Sequence, residues 1–342
     1  MIPLTYIHLG LTRWRKVIER LWRGIAIISA SDNGYKVGEE LRQKLKDMEI
    51  PTVHFKYQEA KFEEIWECYD AIIFVMALEG VVRTISKLAR AKHLDPPVVS
   101  IDDSKKYIIP VLGGHWGANE IARDLSDIIG GEPIITTASE LMNKPSAEEI
   151  AGKLIAEIVN PEMIVKINSA FLKGEEVCFL GNEKVNISVL KDYHEECKNV
   201  ITTREGLREM GKNVLYLKPL KLAIGIGSKK EVDVNKIWLG ISSLLEKMEI
   251  DKSRIKVVAS IREKLKEISE RLNAEFRLIN EEEIKEFSYP CLTPPNRKLI
   301  ELGLKGVAEV SALIATGSRK AKLVLRKVSI GNEATIAIAS YD

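Results

Sequence analysis

Glutamine is almost absent from this 342-residue chain, which carries only Gln43 and Gln58, and it has just four cysteines and five histidines. The cysteines at 68, 178, 197 and 291 are widely scattered with no CxxC pair. That spacing argues against a disulfide framework or a structural zinc site and fits reduced, partly buried thiols. Histidines 8, 54, 93 and 194 have no partner at ligand spacing, so no protein-bound metal is expected. The longest apolar run is Ala71–Leu78, far short of the ~20 residues of a transmembrane helix. Residues 1–23 form a basic extension with arginines at 13, 15, 20 and 23 and no apolar segment suited to a signal peptide, so a cytoplasmic, membrane-free protein is expected. No charge predominates either: 51 Lys+Arg against 49 Asp+Glu leave +2. The charges are interleaved, as in REKLKEISERL, which excludes the basic tract of a generic nucleic-acid binder. GxSxG elbows and P-loops are also missing.

What is present is ample apolar material, 45% of residues beside 29% charged ones, enough for about two to three domains. Scarce glutamine beside plentiful Lys, Glu and Ile is a thermophile-like bias. Residues 24–145 read as an α/β domain, with strands in GIAIISAS (24–31), VHFKY (53–57), AIIFVMAL (71–78), PPVVSID (96–102), YIIPVLG (107–113) and PIITTAS (133–139), and helices over 35–47, 63–69, 81–91 and 118–129. From 146 to 218 a helix (146–159) and short strand-like pieces suggest a small mixed middle region. Residues 219–342 read as a second α/β domain: KLAIGIG, RIKVVAS, FRLI and the hairpin AKLVLRKVSIG/ATIAIAS alternate with helices. The predicted class is α/β, two α/β domains with parallel or mixed sheets flanked by helices, joined by that middle region. Ligands of such sheets bind beyond strand carboxyl ends, where Gly80, Gly113-Gly114-His115 and Thr136-Thr137 are expected to converge.

The most distinctive segment is LGGHWGANEIAR (112–123). Its glycines leave room for a close ligand, His115 can exchange a proton near neutrality, and Trp116 offers a flat face. A core histidine is the equally weighted alternative. Asp102 and Asp103 could orient a base or begin a turn; Glu120 could instead be an anion in a helix's first turn. Gly225-Ile-Gly227-Ser-Lys-Lys suggests a phosphate-type turn, but Lys230 occupies the third glycine position of a dinucleotide fingerprint. It could hold another anion with Lys229 and Lys230, or be a tight turn with solvated lysines.

Residues 80–123 with PIITTASE, then GIGSKK, ASIREKLKE, LKGVAEVSALIA and LVLRKVSIGNEATIAIA in that order, closely resemble the cobalamin biosynthesis protein G family (CbiG). The last four blocks resemble its C-terminal domain, which is similar to CobE. The resemblance implies a cobalt-precorrin-5A hydrolase, which opens a δ-lactone and releases acetaldehyde to give cobalt-precorrin-5B. No separate cofactor is implied, because the cobalt belongs to the substrate. A cobalt-corrinoid precursor is the implied partner, with other pathway enzymes or a second copy of the chain left open. Catalytic residues implied for that reaction are His115 as base, oriented by Asp103 or Glu120, with amides of Gly113, Gly114 and Gly117 as oxyanion donors. Arg83, Arg123, Lys229 and Lys264 are candidates to clamp substrate carboxylates. Trp116, Asn119, Gly225, Gly227 and Ser228 complete the substrate-binding set. The sequence departs from the family pattern at Ser228, often cysteine, and in a His115 loop one residue shorter. A non-catalytic corrinoid carrier built on the C-terminal domain is the alternative.

Overall fold

The computed structural model describes residues 16–90, 95–114, 117–136, 146–183, 189–204 and 211–342. The chain divides into two units: residues through 60 together with 70–135, and residues 61–69 together with 136–342.

The elements in chain order begin with β1 (Ile25–Ser29), α1 (Asp32–Asp47), β2 (Thr52–Lys56), α2 (Phe62–Cys68), β3 (Ala71–Val75), α3 (Leu78–Ile85), β4 (Val98–Ile101), β5 (Tyr107–Leu112), α4 (Ala118–Ile129) and β6 (Glu132–Pro133). All of them except α2 build the first unit, around a sheet of order β2-β1-β3-β4-β5-β6. Strands β1, β3 and β4 are buried at every position, as expected of strands covered on both faces. Helix α1 starts where Ser31 Oγ accepts from the Gly34 amide at 2.9 Å, and its Val37, Leu41 and Leu45 recur on one face. These pack with Ile121, Ala122 and Leu125 of α4 against Ile25, Ile27 and Ile73.

Strands β1 to β4 run parallel, but β5 is antiparallel to β4, pairing Val98 with Leu112 and Ile101 with Ile108. Asp102 builds the connecting turn: Oδ1 accepts from the Tyr107 amide at 2.6 Å and Oδ2 from the Ser104 amide at 3.1 Å. The carboxyl end of β5 therefore lies at the opposite sheet edge from those of β1, β3 and β4. This corrects the expected convergence of Gly80 with Gly113-Gly114. The predicted strand over 133–139 is also shorter: β6 stops at Pro133, and residues 137–139 lie outside the described residues.

The second unit continues with α5 (Ala147–Lys153), β7 (Ala156–Ile158), α6 (Ile164–Lys173), β8 (Val177–Leu180), β9 (Leu190–Asp192), β10 (Asn199–Thr202) and β11 (Asn213–Pro219), whose sheet order is β7-β11-β10-β8-β9. The helix expected over 146–159 ends at Lys153; Ile155 takes a positive φ of 46° and the chain turns into β7. Then follow β12 (Lys221–Ser228), α7 (Val234–Lys247), β13 (Ile255–Ser260), α8 (Lys266–Leu272), β14 (Glu275–Leu278), α9 (Glu281–Glu286), α10 (Arg297–Glu301), α11 (Val307–Ala315), β15 (Lys322–Ile330) and β16 (Ala334–Tyr341), with sheet order β14-β13-β12-β16-β15. The α/β class with mixed, helix-flanked sheets is thus as expected. Among the described residues no helix is long and apolar enough to cross a membrane.

The cysteines correct the sequence reading. All four are paired, Cys68 with Cys291 and Cys178 with Cys197, at Cα separations of 5.1 and 6.4 Å. Both separations suit a disulfide. The fold brings together residues 223 and 19 apart in sequence, a proximity that spacing in the chain does not encode.

Candidate functional site

The glycine-rich loop after β5 is shaped by local packing. Gly113 has φ +78°, and a Cβ there would lie 2.9 Å from Pro97 Cα; Gly117, with φ +98°, leads into α4. The Ala118 amide donates to the Gly113 carbonyl at 3.1 Å, closing the loop. Gly114 lies inside it, while His115 and Trp116 lie outside the described residues. Asn119 is buried in the first turn of α4, and Glu120 is 3.9 Å from Arg123 on the same helix. Asp103 is elsewhere: its carboxylate accepts from the Ser31 hydroxyl at the other edge of the sheet. From Pro97, beside Gly113, to Asp102 is five residues of mostly extended chain, roughly 16 Å. Asp103 and Gly113 are therefore at opposite edges of the sheet. Glu120 stays on the loop's side.

At Asp103's edge the order β2-β1-β3 places the sheet's switch point between β1 and β3, the crevice where open α/β sheets bind ligands. Ser31, Gly34 and Gly80 lie there. Arg83 on α3 is exposed and ion-paired with Glu79 at 2.6 Å. Sequence reasoning missed a relay beneath this edge: Ser29 Oγ is 2.8 Å from His54 Nε2, His54 Nδ1 is 2.7 Å from Glu39, and Arg42 forks onto Glu39. The connectivity is that of a nucleophile, base and acid, yet the relay is sealed. Ser29 is 3% exposed, Tyr35 stacks on His54 at 4.5 Å, and a methyl on Gly38 would come within 2.4 Å of His54 Nε2. Its role is to bolt α1 onto β1 and β2.

The relay sets a pH dependence. Burial pushes His54 below the ordinary imidazole range despite its bond to Glu39, and the Arg42 hydrogen bond holds Glu39 below the usual carboxylate range despite partial burial. With both folded-state values lowered, the unfolded chain binds more protons on acidification. The His54 contribution is complete above its reference value of 6.5 and is lost as pH falls through the lower folded value. The Glu39 contribution is complete above 4.5 and is lost below it. Thermal midpoints should therefore fall from neutrality downward, and His54→Gln should flatten the upper part of that fall. Equal slopes for wild type and variant would show that His54 is not the titrating group.

In the second unit Gly225 and Gly227 lie within β12, not in a turn. Cβ atoms there would meet Ala308 O at 2.0 Å and Thr335 Oγ1 at 2.8 Å respectively, so both positions accommodate neighbouring elements. Ser228 ends the strand, its hydroxyl donating to the Lys229 carbonyl at 3.1 Å. Just beyond, an open depression of about 480 Å³ gathers Lys229, Lys230 and Lys264 with Glu231, Asp233 and Glu333. Asp233 caps α7, and Glu333 pairs with Lys236 at 3.3 Å. Lys264 donates to the Val232 carbonyl, and among the described residues none of the three lysines is ion-paired. The three ammonium groups are balanced by three carboxylates, and the depression brings together two of the expected carboxylate clamps, Lys229 and Lys264.

His194 has the partners that its sequence spacing concealed. Its Nε2 is 2.9 Å from Glu176 Oε2, and these two groups and the sulfurs of Cys178 and Cys197 all lie within 4.8 Å of one another. The sequence signal was HxxC, residues 194–197.

Three family models match the chain in order: Cobalamin synthesis G N-terminal over residues 60–140, the CbiG-like linker domain over 145–220 and Cobalamin synthesis G C-terminus over 222–339. The chain is 26% identical over 308 residues to a cobalt-precorrin-5A hydrolase of Priestia megaterium, covering 81% of each. It is 24% identical over 242 residues to that of Salmonella typhimurium, 65% of this chain and 69% of the relative. The crystal structure of a cobalamin biosynthesis protein G homolog from Sulfolobus solfataricus is similar at 50% identity and a TM-score of 0.85, with 95% of this chain and 99% of that one covered. On that likeness over nearly both full lengths, the chain belongs to the cobalamin biosynthesis protein G family.

Proposed function

We propose that this protein hydrolyses cobalt-precorrin-5A, opening its δ-lactone and releasing acetaldehyde to leave cobalt-precorrin-5B. The observation that carries the reading is the presence of all three family segments, in order, in a chain whose relatives are named for that reaction. The lysine depression supports it, because the macrocycle carries acetate and propionate groups and ammonium groups bind carboxylates. Lactone opening needs an activated water and donors for the tetrahedral oxyanion. In this proposal His115 takes the water's proton, and amides of Gly113, Gly114 and Gly117 receive the oxyanion. After ring opening, a base removes the hydroxyl proton of the freed hydroxyethyl group, acetaldehyde departs, and the macrocycle accepts the electron pair.

The test is anaerobic incubation with cobalt-precorrin-5A, trapping acetaldehyde and following the macrocycle's mass. Stoichiometric acetaldehyde with the lighter product supports the hydrolase; tight binding without it turns the reading to a carrier. His115→Ala should lower kcat by roughly 10²–10⁴-fold; turnover within threefold of wild type would remove it as the base. Lys229→Ala and Lys264→Ala should each raise KM by roughly three- to fivefold at nearly constant kcat, the scale of one exposed charge contact. An unchanged KM in both variants would place the substrate carboxylates elsewhere.

A further inference from the structure

The middle sheet is covered unequally on its two faces. One face is packed by α5 and α6 through Ile150, Ile167 and Phe171. The other carries a small cluster, Cys178, Cys197, Val200 and Val214, bordered by Leu180, Tyr193 and Tyr216. Strand β8 pairs with both β9 and β10 in parallel, so residues 193–198 must run back from the end of β9 to the start of β10. That crossover brings His194 and Cys197 to Cys178.

Two local features aim four donor atoms at one point. Glu176 and Cys178 are two residues apart at the start of β8, which puts them on one face. The Cys197 amide donates to the His194 carbonyl at 3.1 Å, a turn that folds HxxC so that both side chains point the same way. All four donors lie within 4.8 Å of one another. Ligands on a tetrahedral zinc ion, with bonds of about 2.0–2.3 Å, stand roughly 3.3–3.8 Å apart, so modest movement once the sulfurs part makes the site. Cys178 and Cys197 are fully buried while His194 and Glu176 are about half exposed, which gives a dry sulfur side and an entry path. Two thiolates, an imidazole and a carboxylate suit zinc better than hard cations, which prefer all-oxygen shells.

We propose that Glu176, Cys178, His194 and Cys197 bind one zinc ion when the two cysteines are thiols, the zinc complex and the disulfide being alternative ways of pinning the 193–198 crossover to β8. The chemistry balances with a named reductant. A phosphine delivers two electrons to the disulfide and becomes phosphine oxide with an oxygen from water, leaving two thiols. Zinc then displaces two thiol protons to form two Zn–S bonds, with neutral His194 and ionised Glu176 completing the shell. A two-electron oxidant such as diamide re-forms the disulfide and expels the metal.

The experiment uses the full chain reduced anaerobically with a phosphine, freed of reductant, and titrated with cobalt(II) as a spectroscopic probe. The expected result is a thiolate-to-cobalt charge-transfer band and tetrahedral d–d bands saturating at one metal per chain, bleached by one equivalent of zinc and absent from diamide-oxidised protein. Cys178→Ser with Cys197→Ser should abolish the band. His194→Ala, at a half-exposed side chain, should weaken cobalt binding by more than the roughly 10–100-fold typical of losing a group that only orients a metal ligand. That variant carries the test should the cysteine variant fail to fold. Absence of the band when thiol titration shows the cysteines reduced would overturn the proposal. So would a band that survives His194→Ala unchanged, or one that persists in the cysteine variant and so reports Cys68 and Cys291.

Discussion

Gly225→Ala should lower the thermal midpoint by about 6–12 °C, from a loss of about 3 kcal/mol at roughly 2–4 °C per kcal/mol for a unit of this size. The added Cβ would lie 2.0 Å from the Ala308 carbonyl oxygen and 2.4 Å from the Ala312 amide nitrogen, both backbone atoms of α11. A helix backbone cannot rotate aside as a side chain can, so either α11 lifts from β12 or the strand bends. The helix is built for this approach: Ala308, Ser311, Ala312 and Ala315 are small and buried. Gly240→Ala on α7 is the control, because the nearest atoms to its Cβ, from 2.2 Å, belong to the Ile330 side chain and not to backbone, and alanine raises helix propensity. A Gly225→Ala protein that melts like wild type while binding its substrate weakly would mean that the glycine serves a ligand and not the packing of α11.

Much of the architecture was legible because burial writes itself into hydrophobic pattern. The apolar runs of β1 and β3 are read directly, and α4 spans the very residues, 118–129, that its periodicity and flanking glycines mark out. Strand direction was harder, yet the cue was present. Only residues 102–106 separate β4 from β5, too few for the crossover of a dozen or more residues that parallel neighbours need. Reading that length would have placed Asp103 and Gly113 at opposite edges from the start. Helix α6 was overlooked although Ile167, Ala170 and Phe171 form its buried stripe and Gly174, in the left-handed region, stops it. Other features were not legible at all. The Cys68–Cys291 bond, the union of Glu176 with His194 and the role of Gly225 depend on pairs of segments meeting in space, which no local spacing encodes.

Arg326→Ala should cost the second unit about 3–5 kcal/mol, the range for one partner removed from a buried charged network. Arg326 is 2% exposed, donates to the carbonyls of Cys68 and Cys291, each at 3.0 Å, and to Thr293 Oγ1 at 3.2 Å, and its guanidinium stacks 4.0 Å from the Tyr69 ring centre. Burial around the same ring pushes the Tyr69 phenol up to about 12. Glu309, 1% exposed, answers through Thr293, accepting from its amide at 2.8 Å and from its hydroxyl at 2.6 Å. Without the guanidinium two carbonyls lose their donor, and of the two cations near the Glu309 charge Lys327 is left. Arg326→Lys should recover only part of the loss, since one ammonium cannot reproduce the fork and the stack together. The cation and the Cys68–Cys291 disulfide hold the same short segment, residues 68–69, against the same stretch after Tyr289. On the chain-entropy account a loop of 223 residues makes that disulfide worth about 5.4 kcal/mol. Denaturant unfolding of Arg326→Ala, of Cys68→Ser with Cys291→Ser, and of the combined variant should therefore show a combined loss smaller than the sum of the two, because a segment released by one change has little left to lose from the other. Strict additivity would mean that the cation and the disulfide stabilise separate parts of the unit, and that the contacts of Arg326 with the two cysteine carbonyls contribute little.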